Sequence, residues 1–262
     1  MATPEKGNPA LIRRDSLAAR PGSRQVGPHK HIEVRVRDVQ RLLVLFDLDN
    51  TLVDRRGTLG DWAAEFTARH GLGDEERAYV LGMVAERAYP SSFDAIRTRY
   101  RLPMSTAALW REYCADIAAS ASCPAEVLDG LVELRAAGWR VGVATNGAVD
   151  IQHAKLRATG ISKRVDGVFV SEEAEARKPL TRHFALAAAR CGTGLGDGGW
   201  MVGDNPINDV GGGRSAGLRT IWIGNGRSWP PDDPGPDHVV PHARAAIDLL
   251  LLQSVDRMRT RA

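Results

Sequence analysis

The chain is short of cysteine, of long apolar runs and of repetition. Three cysteines, Cys114, Cys123 and Cys191, occur among 262 residues. The number is odd and the spacings match no metal-ligand pattern, which excludes a disulfide framework or a structural zinc site as the organising device. They are read as small, buried or half-buried thiols, in keeping with a reducing cytoplasm. No stretch of about 18 apolar residues exists, so no membrane span is expected. No apolar segment follows the first basic residues, so no secretory signal is expected. No segment repeats, which sets aside solenoids and propellers.

What is present is ordinary for a globular protein. Hydrophobic residues make up 43% and charged residues 26%, enough to bury a sizeable core. The length allows one large or two small domains. The net charge of +3 is unevenly spread: residues 1–40 hold eight Lys/Arg against four Asp/Glu, which leaves 27 against 28 for the rest. The body is near neutral and the basic character comes from the N-terminal stretch. Residues 1–30 are rich in Pro, Gly, Ser and Arg and lack periodicity, so residues 1–40 are expected to form a disordered basic tail. A basic arm for nucleic acid is the alternative, weakened by the absence of aromatic residues for base stacking.

The centre of the sequence is Leu42-Leu-Val-Leu-Phe-Asp47-Leu-Asp49-Asn-Thr51. An unbroken apolar run fits a strand buried on both faces, as in a parallel sheet. It delivers Asp47 and Asp49 where open α/β sheets bind ligands. Residues i and i+2 of a strand share a side, so the two acids are expected to face one pocket, where their repulsion calls for a cation or a shared proton.

Residues 57–121 then read as helices near 59–70, 74–88, 91–101 and 105–119, with Asp74 and Ser105 as N-caps. Trp62, Phe93, Arg97, Arg99 and Arg101 are the residues of this insert read as able to meet a substrate, against a simpler role in filling and solvating the bundle. A helix over 126–137 leads to a strand at Val141–Ala144, closed by Thr145-Asn146-Gly147. A hydroxyl and main-chain N–H groups ahead of a helix near Val149 suit a phosphoryl oxygen. Val168–Ser171 is a third strand. Lys178-Pro179 precedes a helix to Cys191, with Pro179 read into its first turn. Trp200–Gly203 is a fourth strand, ending in Asp204-Asn205-Pro-Ile-Asn-Asp209. Thr220–Ile223 and Asp237–Val240 are further strands, and 242–253 a closing helix. The expected fold is α/β: a Rossmann-like doubly wound parallel sheet (41–56 and 122–262) with an inserted all-helical domain (57–121).

Asp47/Asp49, Thr145, Lys178 and Asp204/Asp209 stand in this order, each at the end of an expected strand. Over about residues 42–225 the chain resembles the haloacid dehalogenase-like (HAD) hydrolase superfamily, as a phosphatase-type member with a C1 helical cap. Gln152, Lys155, Leu156, Thr159 and Gly160 continue the likeness; Lys155 is read as a surface or helix–core contact without a catalytic part. The resemblance implies Asp47 as nucleophile and Asp49 as acid/base. It implies Mg²⁺ held by Asp47, the Asp49 carbonyl and Asp204. Thr145, Asn146 and Lys178 would hold the phosphoryl oxygens. Asp209 would orient Lys178 or a metal-bound water, and Asn205 would donate from outside that shell.

Dehalogenases of the superfamily replace the second acid, so Asp49 favours phosphoryl transfer. The expected function is Mg²⁺-dependent hydrolysis of a small phosphorylated metabolite in the cytoplasm, through an aspartyl-phosphate. A phosphoglucomutase-like transferase is the nearest alternative; a non-catalytic protein, or a nucleic-acid binder acting through the tail, is the alternative from another class. Nothing in the sequence specifies the metabolite or the oligomeric state.

Overall fold

A computed structural model describes residues 42–230 and 234–261, with side chains to Ser254. The basic tail at residues 1–40 therefore lies outside the described residues. Six parallel strands form one sheet in the order β3-β2-β1-β4-β5-β6. They are β1 (Leu42–Phe46), β2 (Trp139–Thr145), β3 (Gly167–Val170), β4 (Trp200–Gly203), β5 (Arg219–Ile223) and β6 (His238–Val240). The order reverses between β1 and β4, where Val44 pairs with Val141 on one side and Trp200 on the other.

The apolar run of β1 is buried on both faces, as expected. Leu43 and Leu45 pack with Phe169 and with Phe184 of α7 (Thr181–Arg190). Val44 and Phe46 face Leu131 and Leu134 of α5 (Ala125–Ala136) and Ile247 and Leu250 of α9 (Ala243–Arg261). Leu43, Val44, Leu45 and Phe46 have no exposed surface, each burial being worth about 1.5–3 kcal/mol. β1 is thus anchored hard, and its carboxyl end is a fixed point. The helix α6 (Val149–Ala158) follows β2, and the short α8 (Gly212–Ser215) follows β4.

The insert consists of α1 (Arg55–Arg69), α2 (Asp74–Ala85), α3 (Pro90–Tyr100) and α4 (Thr106–Ser120). It has its own aromatic core: Trp62 and Tyr113 meet edge-on with centroids 4.8 Å apart, beside Phe66, Phe93 and Trp110. Ala148 and Ile151, at the start of α6, belong to the same cluster, so the insert docks on that helix. The doubly wound parallel sheet with an all-helical insert is therefore the observed architecture.

Three local expectations differ from the structure. α1 begins at Arg55, four residues earlier than the apolar spacing suggests, because the Asp54 carboxylate caps it, accepting from the Arg56 and Gly57 N–H groups. Asp74 is the first helical residue of α2 and not its cap; Gly73 takes the cap position, and its N–H donates to Glu76 Oε2 at 2.9 Å. Pro179 precedes α7, which starts at Thr181 after Leu180. Ser105 caps α4 as expected, accepting from the Ala108 N–H.

At Gly167 the sheet and α7 touch through main chain. A Cβ there would lie 2.5 Å from the Arg190 carbonyl carbon and 2.8 Å from the Cys191 nitrogen. Gly167→Ala should destabilise the fold by about 1–3 kcal/mol through overpacking, read as a lower denaturant midpoint. An unchanged midpoint would mean that β3 and α7 separate without cost.

Candidate active site

Three buried carboxylates and one ammonium meet at the reversal point of the sheet. Asp47 follows β1 directly, and its N–H still bonds the Val202 carbonyl of β4 at 2.8 Å. Lys178 Nζ donates to Asp47 Oδ1 at 2.5 Å and to Asp209 Oδ1 at 2.7 Å. Asp204 follows β4 and is held from the rim by Arg227 Nη2 at 3.0 Å and Arg56 Nη2 at 3.5 Å. Burial pushes the Asp47 carboxyl up to about 7, with Lys178 opposing and Asp209 adding repulsion. Burial, with the Asp47 charge, pushes Asp204 up to about 6 against Arg227 and Arg56. Burial also tends to neutralise Lys178, but Asp209 and Asp47 outweigh it and keep the ammonium charged.

Asp49 lies outside this cluster. Both of its carboxylate oxygens are taken from α6: Lys155 Nζ donates to Oδ1 at 2.6 Å, and Gln152 Nε2 donates to Oδ2 at 3.0 Å. Arg55 Nε stands 3.9 Å from Oδ2. Burial acts to raise the Asp49 pKa, but Lys155 and Arg55 outweigh it and hold the carboxyl below its usual range. The strand ends at Phe46, and a tight turn follows in which the Leu52 and Val53 N–H groups bond the Leu48 carbonyl and Asn50 adopts φ +59°. The expected alternation of a strand therefore does not govern Asp47 and Asp49. They line one cavity of about 140 Å³ with Thr145, Lys178, Asp204 and Asp209, yet each answers to its own cation.

Lys155 is not a surface residue. Only 2% of it is exposed, and it joins α6 to Asp49. The Gln152–Lys155 spacing puts both on one helix face; that spacing was visible, but the carboxylate it faces is distant in sequence. Gln152 Nε2 also donates to Thr145 Oγ1 at 2.7 Å, so Thr145 reaches the cavity and is not the N-cap of α6, which is Ala148. The Asn146 amide is spent on the Lys178 main chain: Oδ1 accepts from the Lys178 N–H at 2.9 Å, and Nδ2 donates to its carbonyl at 3.1 Å. The Asn205 side chain accepts from the Ile207 and Asn208 N–H groups at the start of a wide helical turn, Pro206–Gly211. Its donation to the site is through its N–H, to Asp209 Oδ2 at 3.0 Å.

The insert reaches the site with residues other than those singled out from the sequence. Trp62 and Phe93 fill its core. Arg97 donates to the Met104 carbonyl, and Arg99 lies over the Tyr79 ring. Arg55 and Glu86 line the acid cavity, and Arg55, Arg87 and Tyr113 line a smaller space of about 40 Å³ beside Asp49 and Lys155. The Arg55-Arg56 pair directly after the first acidic motif was the missed signal. A larger cleft of about 410 Å³, lined in part by Asp54, Glu126, His242 and Arg244, holds neither the acid cluster nor Lys178, so chemistry and not size identifies the site.

The donor set fits a hard cation. Among the described residues, Asp47, Asp204 and Asp209 place carboxylate oxygens within 4.8 Å of one another. Burial, and then the neighbouring carboxylates, raise Asp47 and Asp204 in spite of Lys178 and the two rim arginines, and carboxylate oxygens are what Mg²⁺ and related ions accept. Among the described residues no helix is long and apolar enough to cross a membrane.

The family model of haloacid dehalogenase-like hydrolases matches residues 42–217. The chain is 30% identical over 197 residues to phosphoglycolate phosphatase of Caulobacter vibrioides, covering 73% of this chain and 82% of that protein. It is 38% identical over 104 residues to phosphoserine phosphatase of Thermus thermophilus, a match spanning 40% of this chain and 41% of that one. Among solved structures, the putative HAD-hydrolase YfnB from Bacillus subtilis, bound to magnesium, superposes with a TM-score of 0.60 at 20% identity. That superposition covers 80% of this chain and 98% of the other, a likeness of fold. With four acids and a buried lysine gathered at the reversal point of a six-stranded parallel sheet, and with a helical insert after its first strand, the chain belongs to the haloacid dehalogenase-like hydrolase family, as a phosphatase-type enzyme.

Proposed function

We propose that the protein is a Mg²⁺-dependent phosphomonoesterase that hydrolyses a small phosphorylated metabolite through an aspartyl-phosphate on Asp47. The observation that carries this reading is the division of labour between two acids two residues apart. Asp47 sits among Lys178, Asp204 and Asp209. Asp49 is held apart by Lys155 and Gln152. This separation supports reading Asp47 as the acid for phosphorus and Asp49 as the one for the leaving group.

In the first step a carboxylate oxygen of Asp47 attacks phosphorus and the bond to the ester oxygen breaks. Asp49, which rests as the carboxylate beside Lys155 and takes up a proton as the anionic substrate enters, gives that proton to the departing oxygen. In the second step Asp49 takes a proton from water, whose oxygen attacks phosphorus; the bond to Asp47 breaks and phosphate leaves. Lys178 and Thr145 hold phosphoryl oxygens, with the main chain of Asn146. Asp209 keeps Lys178 in place. Asp47, the Asp49 carbonyl and Asp204 would hold Mg²⁺, which supplies positive charge to the phosphoryl oxygens when bound. Magnesium in the YfnB structure supports the choice of ion. Phosphoglycolate and phosphoserine, in the names of two relatives, support a small acid or a similar metabolite as substrate. We assign 57–121 as the cap and 41–56 with 122–262 as the core, with Arg55 and Arg56, the first residues of α1, at the junction between them, and the unpaired thiols Cys114, Cys123 and Cys191 support a cytoplasmic setting.

Asp47→Asn should retain the fold and lose turnover by at least about 10³-fold, because an amide is a poor nucleophile; near-native turnover by a sequence-verified preparation would end the covalent route. Asp49→Asn should impair poor leaving groups more than p-nitrophenolate. With p-nitrophenyl phosphate it should show a burst, since the second step lacks its base. Equal, small losses without a burst would remove Asp49 from the chemistry.

Metal binding should also depend on pH. Asp47 and Asp204 have folded values of about 7 and about 6, above the ordinary 3.8. They therefore favour the folded state when protonated, and this contribution is lost as pH rises through those values. A cation must displace the protons at low pH and finds them already gone at high pH. The rise in melting temperature on adding Mg²⁺ should be larger at pH 8 than at pH 5.5. An equal rise at both would mean that the ion binds elsewhere.

A further inference from the structure

Lys155 and Gln152 have no part in the steps above, yet both are almost wholly buried, at 2% and 1% exposure. Together they engage both oxygens of Asp49. We propose that this pair is a positioning clamp that fixes the Asp49 carboxylate toward the leaving-group side of the cavity, making Lys155 and Gln152 determinants of proton transfer and not of phosphate binding. The proposal rests on the acid/base role assigned to Asp49.

Three observations carry it. First, the clamp is one-sided. Lys178 serves Asp47 and Asp209, and Lys155 serves Asp49; the two ammonium groups divide the acids between them, so the Asp49 carboxylate is held apart from the Asp47–Asp209 pair. Second, Gln152 is poorly arranged for stability alone. Its Nε2 is shared among Asp49, Thr145 Oγ1 and the Asn146 carbonyl, while its Oε1 is buried with no partner among the described residues. A buried acceptor left unpaired carries a cost that apolar packing would avoid. What that arrangement provides is one amide tied to both the acid/base and the phosphate-binding hydroxyl. A buried ion pair likewise is weak evidence for stability.

Third, the base of the clamp is rigid. α6 is tied at its start by the Val149 N–H to Glu172 Oε2 at 2.7 Å and by Trp110 Nε1 of the insert to Asp150 Oδ2 at 3.2 Å. Ile151 packs in the insert core, and Leu156 in the sheet core. Lys155 therefore extends from a helix held on several sides. Small errors in the placement of an acid are costly to proton transfer.

The test uses purified full-length protein and two substrates that differ in leaving group, p-nitrophenyl phosphate and phenyl phosphate, with KM and the first-turnover rate of phenol or phenolate release measured for each, because the second step is common to both. Lys155→Met should lower that first-turnover rate for phenyl phosphate by about 10- to 100-fold. Its effect on p-nitrophenyl phosphate should be several-fold smaller, with little change in KM for either. Lys155→Arg should recover much of the loss, since it can still donate to Asp49. Combined with Asp49→Asn, Lys155→Met should add no further selectivity between the substrates. Lys155→Leu carries the same expectation and stands in if the methionine variant does not fold. Equal losses on both substrates from Lys155→Met or Lys155→Leu, or a rise in KM alone, would overturn the clamp while a selective Asp49→Asn left the acid/base reading standing. An unselective Asp49→Asn would overturn that reading first, and the clamp with it.

Discussion

Repulsion among the Asp47, Asp204 and Asp209 carboxylates is the constraint on which the rest of the structure depends. Three acids with oxygens inside 4.8 Å are not stable together in a buried place without positive charge. Lys178 supplies one charge from between Asp47 and Asp209. Its loop is locked by the Asn146 amide on both the N–H and the carbonyl of Lys178. Burial and the neighbouring carboxylates still raise Asp47 and Asp204, and the closeness of the three acids is the physical basis for a cation at this place. Backbone geometry accommodates the crowding as well. At Gly203 a Cβ would lie 2.3 Å from Asp209 Oδ2, so glycine at the end of β4 is what lets Asp209 approach.

The sheet makes this crowding possible. β1 and β4 are neighbours at the point where strand order reverses, and their ends open into the same crevice. Because β1 is buried on both faces and paired on both edges, it cannot shift to relieve the repulsion at its end. The energy of the apolar core thus holds together a group of charges that would otherwise move apart.

The helical insert is bound into the same arrangement through two adjacent arginines. Arg55 donates to the Val84 and Ala85 carbonyls at the end of α2, satisfying groups that a helix terminus leaves open, while standing near Asp49. Arg56 turns the other way, toward Asp204. The junction between insert and sheet therefore contributes charge to both halves of the site. Docking of α4 on α6 places the insert against the helix that carries Gln152 and Lys155, so the insert supports the site from behind as well as bordering it.

The sequence by itself determined the strands, the insert and the main chemical groups. An apolar run that ends in acids has few places to go in an α/β protein, and local spacing carried Asp47, Thr145 and Asp204 to strand ends; Lys178, expected at the end of the third strand, instead lies in the loop eight residues past β3, just before α7. These are short-range facts: periodicity, a turn, a residue before a helix. Only the tertiary structure decided which acid answers to which cation. Lys178 lies 131 positions from Asp47 and Lys155 lies 106 from Asp49, and no local pattern distinguishes a lysine that points inward from one in solvent. The same limit hid Arg55, Arg56 and Arg227, and misdirected attention to Trp62 and Phe93, whose aromatic rings the insert needs for its own core. Alternation along β1 could not foresee the turn at Leu48–Val53, because a tight turn ends the two-residue period and rotates Asp49 toward α6. Side-chain identity and order were legible in the chain; direction and partnership arose when α6, the loop bearing Lys178 and the end of β4 converged on one crevice.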